Sequence, residues 1–301
     1  MCAYADERWE DLCAAVAALQ RQTLPPLETI VVIDHNPALA ARARVALTEA
    51  RVIEASDGRR GLSGARNAGI DAARGEIVAF LDDDAVPEPG WLEALAEAHE
   101  DPDVLGAGGV ASPLWEVMSA PRWLPREFWW TIGCSYRGLP ERVAPVRNPI
   151  GATMSFRREL LEQLGGFTDG IGRVGRTPLG CEETELSIRA RRAHPSGVVL
   201  HVPAARVAHR VPAARATWRY FRSRCWAEGL SKALVRASVG SEDALSSERA
   251  YTLRTLPSGI AHGIRDALRG DGAGLLRSGA IVAGFSITVA GYLRGLLARS
   301  R

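Results

Sequence analysis

Cysteine is scarce in this chain and does not pair. The five residues, Cys2, Cys13, Cys134, Cys181 and Cys225, are odd in number, widely scattered and form no C-x-x-C. That pattern disfavours both a disulfide framework and a structural zinc site, and it fits a reducing cytosol. Lysine is nearly missing, so arginine carries the basic charge. The formal net charge is only +2, which excludes a global field as an argument for nucleic acid. The eight residues before Trp9 include Asp6 and Glu7 and do not read as a secretory signal, so a cytoplasmic place is expected. No apolar run reaches the ~20 residues of a bilayer span. The nearest is the uncharged stretch 279 to 293, between Arg277 and Arg294. It reads either as a core helix, helped by the small residues Gly284, Ala290 and Gly291, or as an interfacial helix with Arg277, Arg294 and Arg299 set to meet anionic headgroups. Peripheral membrane contact, or none, is expected over insertion. There is no internal repeat and no low-complexity segment.

What is present is an ordinary globular balance, 47% hydrophobic and 24% charged over 301 residues, enough for a large core. Trp9, Leu12, Cys13, Val16 and Leu19 recur at helical spacing and predict a helix over about 7 to 22. An apolar strand over 30 to 33 ends in Asp34. A helix over 38 to 50 and a short strand at 52 and 53 follow. Ser63 is placed to cap a helix running to about Ala73. After the strand over 77 to 81, Pro89 can open a helix that has Trp91, Leu92 and Leu95 on one face. This alternation predicts a doubly wound, mostly parallel α/β sheet flanked by helices. Beyond Val110 comes an aromatic stretch, with Trp115, Trp123, Phe128, Trp129, Trp130 and Tyr136, which serves either as a lid or ligand wall or as packing. Strands are expected over 154 to 156 and 198 to 202, and a helix over 158 to 164 stopped by Gly165-Gly166. Residues 213 to 301 read as about three helices separated near 240 to 247 and 270 to 274. The expected division is a catalytic domain over 1 to 212 and a helical extension over 213 to 301.

The chemistry concentrates where the run Ile77-Val78-Ala79-Phe80-Leu81 ends in Asp82-Asp83-Asp84. Acids at the carboxyl end of a buried strand lie on the edge where open α/β sheets bind ligands. Three adjacent anions repel one another unless a cation or a ligand's donors offset them. An Asp-x-Asp there suits a divalent metal that neutralises a diphosphate. A solvated acidic turn before Pro87 is the plain alternative.

Four ordered segments carry a resemblance. They are Gln22-Thr23-Leu24-Pro25 leading into Ile30-Val31-Val32-Ile33-Asp34; Gly64-Ala65-Arg66-Asn67-Ala68-Gly69; Leu81-Asp82-Asp83-Asp84; and Gly180-Cys181-Glu182-Glu183-Thr184-Glu185-Leu186-Ser187-Ile188-Arg189. Together they resemble glycosyltransferase family 2, over about residues 1 to 210. The resemblance implies a GT-A fold, a nucleotide-diphosphate sugar donor, a divalent metal (Mg²⁺ or Mn²⁺) and inversion at the anomeric carbon. A UDP-sugar comes first among donors, with dTDP- or GDP-sugars as alternatives and hexosyl or deoxyhexosyl transfer as the reaction. The acceptor is a hydroxyl on a glycan, a lipid-linked molecule or a small molecule. No nucleic acid is implied.

By the same resemblance Asp34 reads the nucleotide base, beside Ala3 and Tyr4, and Arg66 lines the nucleotide site. Asp82 is the ribose-side acid and also approaches the metal, with Asp83 beside it. Asp84 is the metal ligand, and His209 can approach metal or diphosphate. Gly151 lies behind the donor sugar, where small residues let the backbone come close. Glu183 is the expected base and Glu182 its alternative, because Glu182-Glu183 stands where relatives have Glu-Asp. Relatives also begin with a longer hydrophobic strand before the position of Ala3-Tyr4, so either the start lies further upstream than Met1 or the first strand is truncated and part of the base pocket is missing. Glu185 is expected to pair with Arg189 in the acidic first turn of a helix.

Two other functions compete. A sugar-phosphate nucleotidyltransferase would show a Gly-rich loop followed by Arg and Lys near its start, and that signature is absent. A degenerate sugar-nucleotide-binding or scaffold protein would keep the fold and lack metal-dependent turnover.

Overall fold

The computed structural model describes residues 1–55, 61–172, 179–240 and 250–298. The first half alternates as predicted: β1 (Cys2–Ala3), α1 (Trp9–Leu19), β2 (Ile30–Asp34), α2 (Pro37–Ala46), β3 (Arg51–Ala55), α3 (Leu62–Ala72) and β4 (Ile77–Leu81). β1, β2 and β3 pair in parallel, with Ala3 opposite Ile33 and Asp34 opposite Ala55. A parallel bridge from Cys2 to Asp82 reaches the end of β4. Val31, Val32 and Ile33 are buried, as a strand covered on both faces must be. Leu12 and Val16 of α1 and Leu39 and Ala40 of α2 share one cluster with Val31 and Ile33. Beside the two-residue β1, between β2 and β4, lies a largely apolar cavity of about 160 Å³ lined by Met1, Ile30, Val32, Ile77 and Ala79.

Three local expectations change. α2 closes at Ala46 rather than Ala50, its start held by Asn36, whose Oδ1 accepts from the Leu39 N–H at 3.1 Å. Ser63 does not cap α3. Gly61 takes the cap position with φ 110, a left-handed backbone that favours glycine, and the Ser63 hydroxyl donates instead to the Ile171 carbonyl at 2.6 Å. Pro89 stays outside α4 (Trp91–Ala98), and its carbonyl accepts from the Thr23 N–H at 2.8 Å.

From β4 onward the pairing turns antiparallel. β5 (Ala85–Pro87), β6 (Val104–Trp115), β7 (Ala144–Val146), β8 (Thr153–Arg157) and β9 (Val198–Val211) join β4 in the order β4-β8-β6-β9-β5, with β7 on β9. Among the named strands of the described residues, parallel pairing is confined to β1, β2 and β3. β6 and β9 outrun their apolar cores. They approach so closely that a Cβ at Gly109 would stand 1.8 Å from the Ala205 carbonyl oxygen, which is why glycine interrupts this strand. α5 (Arg158–Gln163) ends at Gly165 and Gly166, both at φ 70, and α6 (Glu182–Ala193) precedes β9.

The chain divides into two compact units. The first comprises Met1–Ser112, Pro140–Thr177 and Glu182–His209, and the second Pro113–Leu139, Pro178–Cys181 and Arg210–Arg301. The second holds α7 (Trp218–Val239), α8 (Leu256–Leu268) and α9 (Ala273–Leu297), in keeping with the helical reading after Pro212. The polar separator expected near 240 to 247 lies, from residue 241 onward, outside the described residues, as does Arg299. The aromatic segment packs within this second unit: Phe128 lies 5.4 Å from Phe221, Trp123 stands edge-on to Trp218 at 5.2 Å, and Tyr136 to Tyr251 at 5.6 Å. Of the two readings of that segment, packing is the one observed among the described residues.

One buried histidine in the first unit makes stability depend on pH. His99 Nε2 lies 2.9 Å from the Ser155 hydroxyl. Burial first, and the positive charge of Arg157 second, hold its pKa down at about 4. The imidazole is therefore neutral in the fold, while the unfolded chain takes up a proton below about 6.5. The resulting stabilisation is complete above that value and is lost as pH falls from about 6.5 towards 4. His99→Gln should remove it. Between pH 7 and pH 5 the unaltered protein should lose about 2 kcal/mol more than the variant in urea unfolding. Identical pH profiles would contradict the assignment.

Candidate active site

The carboxyl edge of the sheet gathers the acids. β4 ends at Leu81, so Asp82 to Asp84 leave the sheet where the alternation predicted. The pairing of β5 with β9 sets His209 opposite Ala85 and brings its Nε2 to 3.3 Å from Asp84 Oδ1. Asp82, Asp84 and His209 offer ligand atoms that all lie within 4.8 Å of one another, close to the ~4 Å that opposite ligands of one Mg²⁺-sized ion span. Two carboxylates and one imidazole are a donor set that could hold a divalent cation. Asp84 and His209 are buried. Asp82 keeps 31% of its side chain accessible.

Asp83 does not join this group. It turns to Arg8, whose Nη1 donates to Asp83 Oδ1 at 2.7 Å and lies 3.2 Å from Asp84 Oδ2. Burial pushes the Asp83 carboxyl up to about 7, Arg8 pulls it down, and Asp84 and Asp82 add to the rise. The other Asp83 oxygen is buried and makes no hydrogen bond. Three adjacent carboxylates thus crowd this strand end, a condition that favours a bound cation.

Arg66 is the hub of the opposite wall. It is 3% exposed on α3, and its guanidinium donates to Glu182 Oε1 at 2.8 Å, the Gly151 carbonyl at 3.1 Å and Asp82 Oδ1 at 3.4 Å. Its carbon lies 5.3 Å from the centre of the Phe167 ring. Burial works against its charge, and Glu182 and Asp82 more than offset that, so its pKa is raised. Gly151 is hemmed in by this arginine: a Cβ there would meet Nη2 at 3.3 Å.

α6 supplies the acidic first turn, Glu182, Glu183 and Glu185. Glu182 is buried against Arg66, with its Oε2 making no hydrogen bond. Glu183 is half-buried. Glu185 accepts from Arg189 Nε at 2.9 Å and from the Thr168 hydroxyl at 2.9 Å, the structural pairing expected of it. The parallel register of β1 and β2 sets Tyr4 beside Asp34 at the same edge. Ala3 is buried and Tyr4 exposed. Asp34 is already engaged, by His35 Nδ1 at 2.6 Å and by the Gly61 N–H at 3.1 Å.

Sequence reasoning missed Arg8 and His35. Among the described residues, His35 (φ 51) and Cys181 (φ 72) are the non-glycines with left-handed backbone, and each directly precedes or follows a site residue, where such strain concentrates. Gln22, at the start of the first motif, braces the loop. Its amide donates to the Glu88 carbonyl at 2.9 Å and accepts from the Leu92 N–H at 3.0 Å.

Residues 1–165 match the model of Glycosyl transferase family 2. A glucosyl-dolichyl phosphate glucuronosyltransferase of Haloferax volcanii is 32% identical over 238 residues, covering 78% of this chain and 75% of the relative. Among solved structures, the mannosyltransferase PcManGT from Pyrobaculum calidifontis, in complex with GDP-Man and Mn²⁺, aligns with TM-score 0.59 at 20% identity over 99% of this chain and 86% of its own. GalNAc-T7 with UDP, GalNAc and Mn²⁺ aligns with TM-score 0.51 at 16% identity, over 81% of this chain and 51% of its own.

Proposed function

Because this chain belongs to glycosyl transferase family 2, we propose that it transfers a sugar from a nucleotide-diphosphate donor to an acceptor hydroxyl, with inversion, at the edge built by Asp82, Asp84 and His209. The observation that carries this reading is the convergence of those three side chains opposite Arg66 and Glu182. Asp84, His209 and Asp82 would hold Mg²⁺ or Mn²⁺, which would supply positive charge to offset the negative charge growing on the leaving nucleoside diphosphate. Arg66 lines the nucleotide site and braces Gly151 behind the donor sugar. Ala3, Tyr4 and Asp34 form the base end of the site.

Glu183 takes the proton of the acceptor hydroxyl as that oxygen attacks the anomeric carbon, because a hydroxyl is a poor nucleophile until its proton has somewhere to go. Glu182 suits this task less, because its Oε1 is already held by the buried Arg66 guanidinium at 2.8 Å. A single displacement inverts the configuration. By the same reading the enzyme is cytoplasmic, with peripheral membrane contact or none.

A screen of UDP-, dTDP- and GDP-sugars by thermal shift with Mn²⁺ tests the reading. A donor present at a hundred times its Kd should stabilise the fold by about 2.7 kcal/mol, several degrees in a melt. A set in which no donor shifts the melt would overturn it. One observation favours a second reading, a donor-binding protein without turnover: Arg8 already pairs with Asp83 and Asp84. Donor binding that neither transfers nor hydrolyses sugar with Mn²⁺ present would establish that alternative.

A further inference from the structure

The second unit has an apolar surface at odds with its own charge. Along α9 the side chains of Leu275, Val282, Phe285, Val289, Leu293 and Leu297 are each 39% to 64% exposed. Their spacing of three, four or seven residues puts them on one stripe, about 33 Å long at the rise of an α-helix. On α8, Ile264 and Leu268 are 45% and 85% exposed, and Arg265 and Arg269 beside them are exposed as well. An apolar stripe this long exceeds the patches a soluble surface usually leaves open.

Charge divides along the chain in the same place. Residues 210 to 301 carry fifteen Arg and Lys against six Asp and Glu, while residues 1 to 209 are acidic on balance. The small overall net charge hides this asymmetry. Arginine beside exposed leucine, isoleucine, valine and phenylalanine is the combination that anionic headgroups over an acyl layer accept.

We infer that the α8–α9 face docks on an anionic lipid surface, with α9 lying in the plane of the interface rather than crossing the bilayer. α9 is long and apolar enough by composition to cross, but its other side is committed to protein. A Cβ at Gly229 of α7 would stand 2.1 Å from the Thr288 carbonyl oxygen, one at Gly291 would stand 2.4 Å from that of Trp226, and one at Gly274 would stand 2.1 Å from that of Gly263. Arg236 of α7 also donates to the Tyr292 hydroxyl at 2.7 Å. Insertion would drag the charges of α7, Arg222 and Lys232 among them, into hydrocarbon, which is strongly opposed. Lying flat keeps those contacts and buries only the stripe.

The test is flotation of the full chain with vesicles, with no donor present, so its outcome is separate from that of the catalytic reading. Equimolar phosphatidylglycerol and phosphatidylcholine should capture the protein, pure phosphatidylcholine should capture it at least tenfold less well, and high salt should release it. Val282→Glu with Phe285→Glu should abolish capture. Arg265→Gln with Arg269→Gln, milder for folding, should weaken it severalfold. Val45→Glu, at an exposed position of α2, should change nothing, and thermal melts should verify that each variant is folded. Equal capture by both vesicle types, capture untouched by either double variant, or a concentration-dependent dimer in their place would overturn the inference. Extraction from membranes by detergent alone, resisting salt and carbonate, would overturn the in-plane arrangement.

Discussion

Asp84→Asn should lower metal-dependent sugar transfer by more than about a hundredfold, the scale of removing a preorganised charge-stabilising group, while the protein stays folded. Asp84 is 4% exposed and stands between His209 at 3.3 Å and Arg8 at 3.2 Å. Its carboxylate is the member common to the cation group and the Arg8 pair. The amide keeps the shape and removes the charge. It also relieves repulsion within the Asp82-Asp83-Asp84 run, so the thermal midpoint of the metal-free variant should equal or exceed that of the parent. A destabilised enzyme would lose activity and midpoint together. Steady-state transfer with Mn²⁺, read beside a melt, separates the cases, and unchanged activity would remove Asp84 from the metal site.

Glu183→Gln should lower transfer by roughly a hundredfold to ten-thousandfold, the range of a lost general base, with donor affinity nearly intact. Glu182→Gln should behave differently. Arg66 is buried on α3 and counts Glu182 as its shortest partner, at 2.8 Å, and weakening that pair leaves a buried cation under-compensated. The expected signature is a lower thermal midpoint and weaker donor binding together with slower turnover. If Glu182→Gln instead keeps stability and donor affinity while transfer collapses, and Glu183→Gln remains active, the base is Glu182.

The acidic edge was legible because two local signals coincide. Ile77 to Leu81 is an apolar run of strand length, and the acids follow it without a spacer, so both the element and the end that carries chemistry could be read. Arg66 and Glu182 were legible only through their motifs: their contact spans 116 positions, and no periodicity encodes it. Arg8 was missed for the same reason. It sits in an ordinary amphipathic segment and meets Asp83 across 75 positions. The direction of β8 could not be read either, since a short strand buried on both faces looks alike in parallel and antiparallel pairing. β9 runs on past Val202 through Pro203-Ala204-Ala205, weak strand formers beside the close approach of Gly109 to Ala205, and pairs with β5 beyond them, a case of tertiary context overriding propensity. Ser63 was a reasonable cap by type, but Gly61 could adopt the left-handed backbone the turn requires, which freed the hydroxyl for Ile171.

Binding of Mn²⁺ itself addresses the central claim most directly. Titration of the free protein with Mn²⁺, followed by electron paramagnetic resonance with and without a nucleoside diphosphate, should find one bound ion per chain. Its affinity should rise when the diphosphate supplies further oxygens, and it should disappear in both Asp84→Asn and His209→Ala. Mn²⁺ that fails to bind with the nucleotide present, or that binds undiminished in both variants, would contradict a metal-assisted diphosphate site at Asp82, Asp84 and His209.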